Sequence, residues 1–156
     1  MSQFVRHLSV ANVLVGLSAA SKKRVFEQVG LLFENNHGLN RAAVFDSLFA
    51  REKLGSTGLG QGVAIPHGRI KGLKEILTAV IRLAEPVAFD APDGHPVSLL
   101  AVLLVPEQAS QTHLDCLSEL AQMLSDKAFR ERLMTAPDAA ALYATLQDWD
   151  QIRPAA

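Results

Sequence analysis

Residues 97–105 read VSLLAVLLV, an apolar run broken by a single serine. Because polar and apolar residues do not alternate along it, the run is typical of a central strand that is buried on both faces of a sheet. Together with Pro106 it is about half as long as the ~20 residues that a membrane-spanning helix requires. The run therefore predicts a core strand, and such a strand needs helices on both sides of its sheet.

The segments around this strand predict those helices and further strands. Apolar residues recur at three- and four-residue spacings in several segments, and each segment ends in capping or turn residues. In chain order, the predicted elements are a helix over residues 18–36, a helix from Asn40 to residue 53, strands over 63–66, 78–83 and 87–89, the central strand, helices capped by Ser110 and Asp126, and a last helix starting at Pro137. This order predicts an α/β fold in one domain over residues 1–156, with a tail from about residue 150 to 156 that frays.

Composition excludes several classes of protein. The net charge is -1 and the charges are interspersed, so no basic stripe points to nucleic acid. Cys116 is the only cysteine, which excludes an intramolecular disulfide and a cysteine-based zinc site. The N-terminal residues lack the pattern of a signal peptide. We therefore expect a cytoplasmic protein without membrane insertion.

The segment most informative about chemistry is REKLGSTGLGQGVAIPHGR, residues 51–69. It predicts a helix end, a glycine-rich loop over residues 55–62, and a short strand that delivers His67 just beyond Pro66. A neutral imidazole is a competent nucleophile, and a dianionic phosphoryl group needs oriented donors around it. Backbone N–H groups of the loop, Ser56, Thr57 and Arg51 are candidate donors.

Each of these features has a plainer explanation when taken alone. A histidine after a strand is more often structural or merely exposed, glycines are more often turn residues, and Arg51 is an ordinary salt-bridged or solvated helix end. The loop also matches neither a Walker A phosphate loop nor the dinucleotide-binding fingerprint. It is their concentration in nineteen consecutive residues that favours the phosphorylation hypothesis.

A second histidine, His113, is predicted in the first turn of the helix capped by Ser110. The positive end of the helix dipole disfavours its protonation there, so a neutral ring could donate to a phosphoryl oxygen or tune His67. Spacing alone favours a local polar contact instead. A metal site that pairs the two histidines lacks HxxxH or HExxH spacing.

Residues 51–69 strongly resemble the phosphorylation-site signature of the enzyme IIA family of the phosphoenolpyruvate-dependent phosphotransferase system, in its fructose/mannitol and nitrogen-related branch. Residues 86–133, PVAFDAPDGHPVSLLAVLLVPEQASQTHLDCLSELAQMLSDKAFRERL, resemble the second half of the same family. The resemblance extends from Leu8 to Leu146. It implies a mixed β-sheet flanked by helices on both faces.

The resemblance also implies roles for individual residues. His67 matches the phosphoacceptor, which takes phosphate at Nε2 from the carrier HPr or its nitrogen-branch paralogue, and no metal or nucleotide cofactor is required. His113 matches the second active-site histidine and Arg51 the active-site arginine. The phosphate-side loop is matched by Gly55, Ser56, Thr57 and Gly58. Residues expected in an apolar ring around the site are Leu54, Leu59 and Ile70.

Two outputs of such a phosphocarrier remain open. No sequence of a IIB or IIC component is present, which favours the nitrogen-related branch, whose members are regulators read by other proteins according to their phosphorylation state. The alternative is a sugar-specific component of fructose/mannitol type that relays phosphate to a separate IIB partner.

Overall fold

The computed structural model, which describes residues 2–108 and 111–152, is built around one mixed sheet of six strands. The strands are β1 (Val13–Leu17), β2 (Gly58–Gly60), β3 (Val63–Ala64), β4 (His67–Ile70), β5 (Leu77–Val87) and β6 (Val97–Pro106). Their order is β1-β5-β6-β3-β2, and β4 also pairs with β6. β5 and β6 are antiparallel, whereas β3 and β4 run parallel to β6 and pair with successive parts of it.

Strand β6 is buried on both faces, as its sequence predicts. Leu99, Leu103 and Val105 belong to one apolar cluster, whereas Leu100 and Val102 belong to another. Because side chains alternate along a strand, consecutive apolar residues supply both layers of the core. This explains why the run needs no polar alternation.

Helices cover both faces of the sheet, which confirms the predicted α/β architecture. α2 (Lys22–His37) and α3 (Arg41–Leu54) pack on one face. The other face is covered by α1 (Gln3–Arg6), α4 (Gln111–Ser125), α5 (Lys127–Thr135), α6 (Ala139–Gln147) and α7 (Trp149–Ile152). No helix in these described ranges is long and apolar enough to span a membrane.

Helix caps agree with the predictions at two sites and correct them at two others. Asn40 caps α3 by accepting from the N–H of Ala43 at 3.0 Å, and Asp126 caps α5 by accepting from that of Phe129 at 2.9 Å. The first long helix was predicted from residue 18 but begins at Lys22, because the Ser21 side chain caps it. The last long helix begins at Ala139 rather than Pro137, because Asp138 is its cap. Ser110 and residues 153–156 lie outside the described residues.

Three strands were not predicted, and one was predicted wrongly. Residues 55–62 were expected to form a loop, but Gly58–Gly60 is β2. Residues 68–74 were expected to form a polar connection, but His67–Ile70 is β4. Val13–Leu17 forms β1, which pairs parallel to β5. Residues 88 and 89 are not in a strand, since β5 runs from Leu77 and ends at Val87.

The site is positioned by the end of β6. His67 lies opposite Leu103 in the β4–β6 pair, and Ile70 lies opposite Pro106, the last residue of β6. Helix α4 begins at Gln111, shortly after the end of β6. The first turn of α4 is thereby placed near β4, although His113 and His67 are 46 positions apart in the sequence.

Candidate functional site

His67 is the first residue of β4 and follows Pro66 directly. Its Nδ1 lies 2.9 Å from the carbonyl oxygen of Ile65. A carbonyl oxygen can only accept a hydrogen bond, so in the neutral ring Nδ1 carries the proton and donates it. The lone pair is then on Nε2, which makes Nε2 the nucleophilic atom of the ring.

The surroundings of His67 favour this neutral form. Burial of the half-buried ring lowers its pKa below the usual 6.5, and the positive charge of Arg51 lowers it further. The hydrogen bond to Ile65 and the negative charge of Glu52 raise the pKa but do not reverse the shift. At neutral pH the imidazole therefore has the lone pair that nucleophilic attack requires.

His113 lies beside His67, and the ring centroids are 6.0 Å apart. The residue is only 8% exposed, and both ring nitrogens are buried without a hydrogen-bond partner among the residues described. The local polar contact that spacing favoured is therefore not found in that part of the chain. Its pKa is lowered first by burial and then by His67 and Arg69.

Helix α3 supplies one wall of the site because it packs closely on β4. A Cβ on Gly68 would overlap Ser47 Oγ and would lie 3.2 Å from the Ser47 carbonyl carbon, so only glycine permits this approach. Ser47 Oγ also donates to the carbonyl oxygen of Arg69 at 2.8 Å. These contacts fix the distance between α3, which carries Arg51, and β4, which carries His67.

Arg51, His67 and His113 share one pocket of about 410 Å³. The complete lining is Ser47, Ala50, Arg51, Leu54, His67, Gly68, Arg69 and His113. Two arginines in a pocket with a neutral imidazole can bind a dianionic group without a metal ion. Within residues 2–108 and 111–152, no group of three or more His, Cys, Asp and Glu side chains could hold a metal ion.

Helix α3 contributes four residues to the pocket lining, and only two of them were predicted from the sequence. Arg51 was predicted for its charge and Leu54 for an apolar ring, whereas Ser47 and Ala50 were missed. The four positions, 47, 50, 51 and 54, have the spacing of one helix face. That spacing is the signal that could have identified the missing two.

The glycine-rich loop is not brought into the pocket, since none of its four predicted residues is in the lining. The Ser56 hydroxyl donates to the carbonyl oxygen of Phe89 at 2.7 Å, and the Gly58 N–H donates to Ser56 Oγ at 3.0 Å. The Thr57 N–H and hydroxyl both donate to the Glu52 carboxylate. The Gly55 carbonyl oxygen accepts from Arg51 Nη1 at 2.8 Å.

The residues expected in an apolar ring lie in three different environments. Leu54 is 85% exposed and lines the pocket. Leu59 is exposed but lines another depression with residues of α4 and α5. Ile70 is buried in the core and is not available to a partner, so its assignment to the ring was wrong. Leu114 is 57% exposed next to His113, although its helical spacing predicted it on the buried face of the helix.

Comparison with known families gives this geometry its context. The model of the family described as "Phosphoenolpyruvate-dependent sugar phosphotransferase system, EIIA 2" matches residues 6–149. The chain belongs to this family. As an EIIA protein it is a component of the phosphotransferase system.

Relatives that share much of the sequence are described as nitrogen regulatory proteins. The EIIA chain is 47% identical over 142 residues to the "Nitrogen regulatory protein" of Pseudomonas aeruginosa, covering 90% of this chain and 92% of the relative. It is 54% identical to the crystal structure of "Nitrogen Regulatory Protein IIA-Ntr" from Neisseria meningitidis, with a TM-score of 0.87, covering 93% of this chain and 99% of that one.

A sugar-specific relative is more distant. A region of the 2-O-alpha-mannosyl-D-glycerate-specific EIIABC component of Escherichia coli is 36% identical over 113 residues, which is 71% of this EIIA chain and 17% of that protein.

Proposed function

We propose that this EIIA protein accepts a phosphoryl group on Nε2 of His67 from a phosphorylated HPr-type carrier, and that its phosphorylation state regulates partner proteins. One observation carries the proposal. The hydrogen bond from Nδ1 to the Ile65 carbonyl oxygen leaves the Nε2 lone pair as the only nucleophilic atom of a ring that lines an arginine-containing pocket.

The transfer needs little covalent chemistry from the protein. The Nε2 lone pair attacks phosphorus and a P–N bond forms, while the bond between phosphorus and the donor's atom breaks and its electron pair returns to the donor. The proton on Nδ1 stays in place throughout. Because the ring gains positive character as Nε2 is phosphorylated, the Ile65 carbonyl dipole at 2.9 Å stabilises the product.

Arg51 and His113 are proposed to stabilise the phosphoryl oxygens. Arg51 Nη1 already donates to the Gly55 carbonyl oxygen, and further N–H groups of the guanidinium remain for an anion. His113 has two ring nitrogens without partners in the described part of the chain, so a phosphoryl oxygen would satisfy a buried donor that otherwise destabilises the fold. The loop residues 55–58 are proposed to support the end of α3 instead of binding phosphate directly.

Regulation is favoured over sugar transport by the relatives. The curated proteins at 47% and 43% identity, from Pseudomonas aeruginosa and Escherichia coli, are both described as nitrogen regulatory proteins. Two negative charges added in the pocket that the exposed Leu54 lines would change which partners can dock there. The carrier is then proposed to be the nitrogen-branch paralogue of HPr, acting in the cytoplasm, where phosphoenolpyruvate is made.

The second candidate is a sugar-specific component that passes the phosphoryl group to a IIB partner. The 36% identity to part of a sugar-specific EIIABC component favours it. The two functions share the acceptor step and differ in the next one. Rapid transfer from the phosphorylated chain to a fructose- or mannitol-type IIB protein would identify the sugar function.

The acceptor step is tested by the intact mass of the protein after incubation with phosphoenolpyruvate, enzyme I and either HPr or its nitrogen-branch paralogue. We expect a gain of one acid-labile phosphoryl group, faster with the paralogue, and no gain in His67→Ala. The absence of a gain with both carriers would refute the proposal. An equal gain in His67→Ala would place the acceptor elsewhere.

A further inference from the structure

Glu52 is a buried acidic residue to which the transfer chemistry assigns no role. Its side chain is 2% exposed, although it follows Arg51 directly near the end of α3. A buried carboxylate destabilises a fold unless donors surround it. The burial of this charge therefore implies that hydrogen-bond donors surround the Glu52 carboxylate.

The donors come from two segments, the loop after α3 and the start of α2. The Thr57 N–H lies 3.1 Å from both carboxylate oxygens of Glu52, and the Thr57 hydroxyl donates to Oε2 at 2.6 Å. Lys22, the first residue of α2, completes the set with Nζ 3.0 Å from Oε1. Glu52 thus anchors Thr57, which is itself only 4% exposed.

The anchored residue is connected to His67 by two further hydrogen bonds. The carbonyl oxygen of Thr57 accepts from the N–H of Ile65 at 3.0 Å. The carbonyl oxygen of Ile65 then accepts from Nδ1 of His67 at 2.9 Å. The direction of that peptide group decides which ring nitrogen of His67 keeps its proton.

We infer that Glu52 is a positioning residue for His67: it holds Thr57, Thr57 holds Ile65, and Ile65 fixes the imidazole with Nε2 as the unprotonated atom. The inference rests on the proposed function for its consequence, because the position of the ring matters for transfer. The path consists of hydrogen bonds between buried or half-buried groups, so water does not easily replace a lost contact.

The test compares Glu52→Gln with Glu34→Gln. Glutamine keeps the shape of Glu52 but replaces one acceptor oxygen with a donor that faces Thr57 or Lys22. Glu34 makes an exposed ion pair with Arg41 and is the matched control. Long-range proton–nitrogen NMR spectra of the His67 side chain report the tautomer in each folded protein, and quench-flow reports the rate of phosphoryl acceptance.

We expect the Nδ1-protonated tautomer to dominate in the wild type and Glu34→Gln, and to lose population in Glu52→Gln. The rate of phosphoryl acceptance should fall by on the order of tenfold in Glu52→Gln. This is less than the roughly hundredfold loss that a 1 Å misplacement of a reacting group can cause. A purely structural carboxylate would lower the melting temperature while leaving the tautomer and the rate of the folded protein unchanged. That result would overturn the inference.

If Glu52→Gln does not fold, Thr57→Val provides a second test of the same path. It removes only the hydroxyl donor, so we expect a smaller change of the same kind, and a wild-type tautomer would refute the path. The tautomer measurement needs no phosphoryl donor. If the wild type accepts no phosphoryl group, the proposed function fails, while the spectra of the variants still support or overturn the positioning of His67.

Discussion

Replacing Gly68 with alanine is predicted to separate the two elements that form the site. The new Cβ would overlap Ser47 Oγ and would lie 3.2 Å from both Cβ and the carbonyl carbon of Ser47. Helix α3 must therefore move away from β4. Such a movement also weakens the 2.8 Å hydrogen bond from Ser47 Oγ to the carbonyl oxygen of Arg69.

The size of the effect follows from these two contributions. Overpacking of this kind costs about 1–3 kcal/mol, and a lost hydrogen bond costs about 1 kcal/mol. The free energy of unfolding should thus fall by about 2–4 kcal/mol, and for a chain of this length each kcal/mol lowers the melting temperature by about 2–4 °C. Phosphoryl acceptance at a temperature where Gly68→Ala is folded should fall as well, because Arg51 moves with α3.

Thermal unfolding of Gly68→Ala, Ser47→Ala and the double variant measures the effect. Ser47→Ala removes the overlapping oxygen, so the loss in Gly68→Ala should be partly relieved in the double variant, with a coupling of at least about 0.5 kcal/mol. A wild-type melting temperature in Gly68→Ala would refute the close approach of α3 to β4. Strictly additive losses would show that Ser47 is not the residue displaced.

Four further predictions concern the charged and titrating groups of the site. Arg51→Ala should slow phosphoryl acceptance by on the order of a hundredfold without abolishing it. Arg41→Ala, at the other end of α3, is the control and should leave the rate unchanged. Equal rates of acceptance in the two variants would show that Arg51 is not part of the site. His113→Ala should slow onward transfer more than acceptance, and an effect on thermal stability alone would identify His113 as purely structural. An NMR titration should place the pKa of His67 below 6.5, so acceptance at pH 6.5 should exceed half of its plateau, and a midpoint above 6.5 would contradict the burial argument. The pKa values of His67 and His113 are both lowered in the folded protein, so just below pH 6.5 the unfolded chain binds more protons than the folded one. The free energy of unfolding should therefore be largest above pH 6.5 and should decrease as the pH falls below that value.

The central strand and the long helices could be predicted because their signals are local. The unbroken apolar run of β6 and the capping residues Asn40 and Asp126 are visible in the sequence itself. β1 and β4 are different, since each is short and exists as a strand through pairing with β5 or β6. The sequence of β4, HGRI, contains glycine and two polar residues, so its own propensity does not predict a strand.

The same distinction applies to the site. His67 and Arg51 lie in one short segment and were predicted together, and the role of His113 was predicted from the resemblance. The pairing of Glu52 with Thr57 and Lys22 could not be predicted, because it depends on how the loop folds back after α3. For the same reason the loop was expected to face phosphate, whereas its donors are used within the protein.

The central claim is that Nε2 of His67 accepts the phosphoryl group while Nδ1 keeps its proton. Its most direct test is a long-range proton–nitrogen spectrum, with phosphorus coupling, of the nitrogen-labelled protein after phosphorylation. We expect phosphorus bonded to Nε2 of His67, with Nδ1 still protonated and held by the Ile65 carbonyl oxygen. Phosphorus on Nδ1 of His67, or on His113, would contradict the account.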